Sequence, residues 1–159
     1  MTTTATHVAT RDHRPALVST TVGLLFFLGV SAVAGGIALS FGTTESGLLP
    51  PAEWLDAIPL VDEWLVPGLV LGLGFGLGSL FAGFGVLGRP HWRWASFAER
   101  ATGHHWSWLA TMVIGLAHVL WIGLELVFLP ELSVLQAIYG PLGLALFLLP
   151  FSRPVSEYL

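Results

Sequence analysis

The sequence predicts an all-α integral membrane bundle of four transmembrane helices, with a short interfacial helix in the cytoplasmic loop. Three observations carry this. Hydrophobic residues make up 54% of the 159 residues and charged residues only 10%, against about a quarter charged in an ordinary globular chain. Mean hydropathy is +0.77. The six basic residues, all arginine, are confined to three of the five segments outside the apolar runs. A soluble domain of this size leaves much of its surface in water and has nowhere to hide so much apolar area. A bilayer removes that constraint.

A bilayer core of about 30 Å is crossed by roughly 20 helical residues, and four runs meet that length. The first covers residues 16–42, after a tail, 1–15, that carries Arg11 and Arg14. A cleavable signal peptide is the rival reading of this run. The apolar stretch is too long for one, and no A-x-A site follows it.

The second run covers residues 64–88 and is rich in glycine. Gly68, Gly72 and Gly76 recur every four residues, so they share a helix face. Gly74, Gly78 and Ala82 form a second small face. Such faces let backbones approach closely, and in lipid that contact drives helix association. Ala32, Gly36 and Ser40 of the first run offer a matching ridge. Two small faces place the second run centrally, between two neighbours. Pro67 lies in its first turn, where a missing N–H costs little. GLGFGLG fails the dinucleotide-binding spacing and follows no strand.

The third run, 107–129, contains His118 and Glu125, seven residues apart and so about 10 Å along one face. Trp121 lies between them. Ionisable side chains inside an apolar run are costly and mark a candidate site. A proton- or cation-responsive Glu125 with His118 as relay is one reading. In the other, Glu125 reaches the membrane surface near Pro130, and His118 bonds Ser31, Ser79, Gln136 or Tyr139. The fourth run, 132–151, contains Pro141, which removes a backbone hydrogen bond and is expected to kink the helix. A tail, 152–159, follows.

Orientation comes from arginine. Arg11, Arg14, Arg89, Arg93, Arg100 and Arg153 all lie on one side of the four runs, and the other side has none. The positive-inside rule places that side in the cytoplasm, both termini included. A multi-pass protein of the inner (cytoplasmic) membrane is expected. The outer loop, 43–63, carries Glu45, Glu53, Asp56, Asp62 and Glu63. Trp54 and Trp64 suit the headgroup layer. This loop reads either as an interfacial connector or as an acidic lid.

In the inner loop, RPHWRWASFAERATGHHW, Trp94, Phe97 and Ala101 fall at helical spacing, the pattern of a short helix lying in the interface. Its arginines can meet anionic lipid headgroups. His91, His104 and His105 suggest a metal site, but adjacent histidines rarely converge on one ion, and no Asp or Cys completes the set. No metal is expected.

Cysteine is absent, which excludes disulfides and iron–sulfur clusters. Haem held by two histidines needs a second core histidine, and none of the other three runs has one. A di-metal carboxylate site needs several inward glutamates. Ser79 with His118 lacks a nucleophile elbow. No catalytic residue, cofactor or nucleic-acid partner is therefore expected.

The stretch WLDAIPLVDEWLVPGLVLGL, Trp54 to Leu73, resembles small uncharacterised four-helix membrane proteins of GC-rich bacteria. The resemblance covers the first two runs and their loop. It implies the architecture and no activity. The leading functional expectation is a non-enzymatic accessory, assembly or scaffold subunit that acts through helix packing. Its partners would be the lipid bilayer and either a larger membrane protein or further copies of itself. The alternative is a small proton-coupled transporter or ion-conducting homo-oligomer that uses Glu125 and His118.

Overall fold

A computed structural model describes residues 14–43, 49–50, 54–55, 61–129 and 133–159. Arg11, most of the acidic loop (Glu45, Glu53 and Asp56 included) and Pro130 lie outside the described residues. The helices are α1 (Ala16–Phe41), α2 (Leu65–Gly88), α3 (Ser96–Thr102), α4 (Trp106–Phe128), α5 (Val134–Leu148) and α6 (Arg153–Ser156). Among the described residues, α1, α2, α4 and α5 with the 3-10 turn that extends it to Phe151 are the four helices long and apolar enough to cross a membrane. Their ends fall within two residues of the expected boundaries. The largest difference is at the start of α5, where Ser133 caps the helix.

α1 packs along α2, α4 packs along α5, and the Gly78–Gly88 part of α2 joins the two pairs. The α1–α2 seam is a backbone contact. A Cβ added at Gly36 would lie 2.5 Å from Gly72 Cα and 2.6 Å from Gly72 N. One added at Gly68 would strike Ser40 and, at 2.9 Å, Gly36 O. One at Gly76 would meet Val33 N at 2.9 Å. Gly68, Gly72 and Gly76 thus all turn toward α1. The other small face is divided. Ala82 is fully buried. A Cβ at Gly78 would reach only Ile114 Cδ1, at 3.9 Å, and at Gly74 it would meet nothing within 4 Å.

The seam has a feature that periodicity does not announce. Residues Val70–Leu77 of α2 form a π-helical segment. A widened turn is normally costly and marks a special site. Three glycines, Gly72, Gly74 and Gly76, fall within it. α5 continues through Pro141.

The filled core lies toward the Ala16 end of the bundle. Val18, Leu25 and Leu28 of α1 pack with Ala82 and Val86 of α2, Leu142 and Leu146 of α5, and Val155 of α6. α4 and α5 touch through glycine, since a Cβ at Gly115 would run into the Leu146–Phe147 backbone. At the same end, a 3-10 turn, Arg93–Ala95, and α3 lay Ala95 and Ala98 against Trp106. Trp94 of that turn and Phe97 of α3 are each 62% exposed. α3 closes at Gly103, whose φ of +73° suits glycine. Arg89 adopts φ +44° at the end of α2. Its guanidinium sits 4.3 Å above the Tyr158 ring and donates to Tyr158 O at 3.1 Å, which ties the C-terminal tail to the loop.

Candidate functional site

At the Trp64 end polar side chains collect around a space between the helices. Glu125 sits in the last turn of α4 and accepts from Trp121 Nε1 at 2.6 Å, one helical turn earlier. Its other oxygen accepts from Gln136 Nε2 at 3.2 Å, from α5. The capping box of α5 aims that amide. Ser133 N donates to Gln136 Oε1 at 2.7 Å and Ser133 Oγ donates to the same oxygen at 2.6 Å. A backbone N–H can only donate, so the amide oxygen must face Ser133 and the NH2 must face Glu125. One short motif thus starts a helix and orients a ligand of the carboxylate.

His118 is two turns deeper. Its ring lies edge-on to Phe75 at 5.1 Å and to Tyr139 at 6.0 Å between centroids. A Cβ at Gly143 would come within 3.0 Å of its Cδ2, so α5 presses on its flank. The residue is 2% exposed, and neither ring nitrogen has a hydrogen-bond partner among the described residues. None of its four expected partners reaches it. Ser31 bonds Phe27 O and Leu28 O of its own helix, and Gln136 is committed to Glu125 and Ser133. Ser79 Oγ is itself unpaired. A buried polar group left unpaired costs about 1–3 kcal/mol.

His118 and Glu125 line one cavity of about 660 Å3. Trp54, Trp64, Trp121 and Tyr139 also border it, and the remainder is largely aliphatic. Beyond His118, toward the Ala16 end, Leu25, Leu142 and Leu146 fill the interior. Toward the Ala16 end the cavity is therefore closed in this conformation. Of the expected site residues, His118, Trp121 and Glu125 are brought together here, while the six small residues of α2 lie outside the cavity lining.

Comparison with known proteins supplies no family. No family model matches the chain, and no curated protein or solved structure matches it. The functional reading therefore rests on geometry.

The opposite end shows what a satisfied histidine looks like. His105 caps α4, with Nδ1 accepting from Ser107 N at 3.3 Å and lying 2.8 Å from Ser107 Oγ. Its Nε2 meets Pro90 O at 3.2 Å. Because Nδ1 must accept, the neutral ring carries its proton on Nε2 and donates to Pro90. Burial pushes the His105 pKa below the ordinary histidine value, against the Pro90 hydrogen bond and the Glu99 carboxylate, which pull it up. His104 stacks on Trp108 at 4.8 Å, and His91 lies edge-on to His105 at 5.7 Å. Among the described residues, no group of three His, Cys, Asp or Glu side chains is placed to hold a metal ion.

Gln136 and Ser133 are the site residues whose role the sequence reading missed. Ser133-x-x-Gln136 before an apolar run is a legible capping box. Only the fold shows that its amide also serves Glu125.

Proposed function

We propose that this chain is a multi-pass protein of the cytoplasmic membrane, with both termini and the α3 loop inside, that works as a small proton-coupled transporter through the Glu125–His118 cavity. The observation that carries this is His118, a deeply buried imidazole with two unpaired nitrogens on the wall of a roomy cavity whose mouth region holds a carboxylate. Stability alone gives no reason to keep such a group, since an apolar side chain of similar size would avoid the penalty. Ionisable groups of this kind in membrane segments serve proton relays and ligand sites. The arginine distribution supports the orientation, which sets the cavity toward the outer face.

The filled core beyond His118 means that passage requires the α4–α5 pair to shift, or a second copy to complete the path. The expected result is a pH-gradient-driven proton flux in proteoliposomes, read with an entrapped pH dye, that Glu125→Gln abolishes. Unchanged flux in Glu125→Gln would remove Glu125 as the coupling group.

A packing role for an accessory or scaffold subunit is the second reading. The seam of Gly68, Gly72 and Gly76 is already occupied by α1 of the same chain, so it offers a partner nothing. The Gly74 side of α2, open within 4 Å, is the surface that would receive one. The mass and composition of the protein extracted in mild detergent separate the readings. A stoichiometric complex with an unrelated protein favours the accessory role.

A further inference from the structure

Among the described residues, no cationic side chain faces the Glu125 carboxyl group. Glu125 receives two neutral donors, Trp121 and Gln136. No described arginine borders the cavity, and the chain has no lysine. The described arginines, 14, 89, 93, 100 and 153, all belong to the opposite end. Each carboxylate oxygen accepts one hydrogen bond, which leaves acceptor capacity on both. Glu125 is half-buried, and a carboxylate drawn partly out of water is stabilised by a paired cation.

The walls match the same demand. Indole and phenol rings attract a cation through their faces, and Trp54, Trp64, Trp121 and Tyr139 all border the space. A volume of about 660 Å3 falls in the range of small-molecule sites, roughly 300–1,000 Å3. At the deep end, neutral His118 offers one donor and one acceptor, about 10 Å along the helix from Glu125.

We propose that the cavity binds an amphiphilic organic cation, with a primary or secondary ammonium head at Glu125 and an apolar or aryl body running inward to a hydrogen-bonding group at His118. This rests on the cavity being the protein's working site and adds the chemical class of its ligand. A lone metal cation would leave the aliphatic walls and His118 without a role, and a free anion would meet Glu125 with like charge.

The test uses two probes of one shape, dansylcadaverine and its N-acetylated, uncharged counterpart. Each is titrated into the whole protein in zwitterionic detergent, and dansyl emission excited through tryptophan is read. Wild-type protein should bind the amine saturably and about tenfold more tightly than the acetylated probe, a difference of about 1.4 kcal/mol. Glu125→Gln should lower amine affinity to that of the acetylated probe and leave the latter unchanged. His118→Leu should weaken both probes alike, by a few-fold. Equal affinity for the two probes in wild-type protein would overturn the cation proposal and leave the cavity as a site for neutral amphiphiles. Saturable binding of neither probe would overturn the cation proposal and the cavity reading together. The wild-type comparison alone decides between these results, so a Glu125→Gln protein that fails to fold does not block the test.

Discussion

His105 and His118 are both buried, the first at the N-terminus of α4 and the second near its middle, and they differ in their hydrogen bonds. Both nitrogens of His105 are bonded, to Ser107 and Pro90. Neither nitrogen of His118 is. The first histidine joins the α2–α3 connection to the start of α4 and has a structural task written in its bonds. The second has no such bond among the described residues and borders a cavity. Burial alone therefore says little about why a polar residue is retained, whereas its hydrogen-bond inventory says a good deal. The same contrast extends to the two ends of the bundle. The Ala16 end is filled with aliphatic and aromatic side chains, and the Trp64 end holds open space around a carboxylate.

The largest expected effect comes from breaking the seam that supports both ends. Gly36→Ala forces a methyl group into the Gly72 backbone and should destabilise the protein by about 1–3 kcal/mol, the usual cost of overpacking. Gly72→Ala should be close to neutral, because its Cβ would meet Gly36 Cα at an ordinary 3.5 Å. Thermal melting of the two variants measures this asymmetry. Equal losses would mean that the backbones are not in the register described.

A smaller effect is confined to the filled end. The folded-state pKa of His105 is depressed, so below the unfolded value of about 6.5 the unfolded chain binds protons more readily than the folded one. Stability is therefore complete above pH 6.5 or so and falls as pH drops through the folded pKa. His105→Leu should remove this contribution to the acid slope of the melting temperature. An unchanged slope would assign it to other groups.

At the open end, Ser133→Ala removes the α5 cap and should cost about 1 kcal/mol. It also frees the Gln136 amide from the geometry that serves Glu125. Probe affinity should drop by more in Ser133→Ala than in a cap-deficient variant at the other end, such as His105→Leu. Equal affinity in the two would mean that the capping box does not orient the carboxylate.

Four helices, their ends and the trio His118, Trp121 and Glu125 were legible because each depends on the content of a single apolar run. Features that depend on how helices turn toward one another were not. Periodicity puts Gly68, Gly72 and Gly76 on one face, and the fold adds that this face meets Gly36. The same rule put Gly74 with Ala82, yet the two differ completely in surroundings. The π-helical segment was hidden because α-helical counting assumes uniform turns. The cavity was hidden because it is space between helices, which no single run encodes. Gly115 and Gly143, where α4 and α5 approach, lacked a repeated spacing to draw notice.

The central claim, that the unpaired imidazole is kept for binding and the paired one for stability, is tested most directly by melting His118→Leu and His105→Leu side by side in one detergent. The account predicts that His105→Leu melts a few degrees below the wild-type protein, while His118→Leu melts at or above it. A His118→Leu protein that melts below His105→Leu would contradict the account, because His118 would then be holding the fold together through partners of its own.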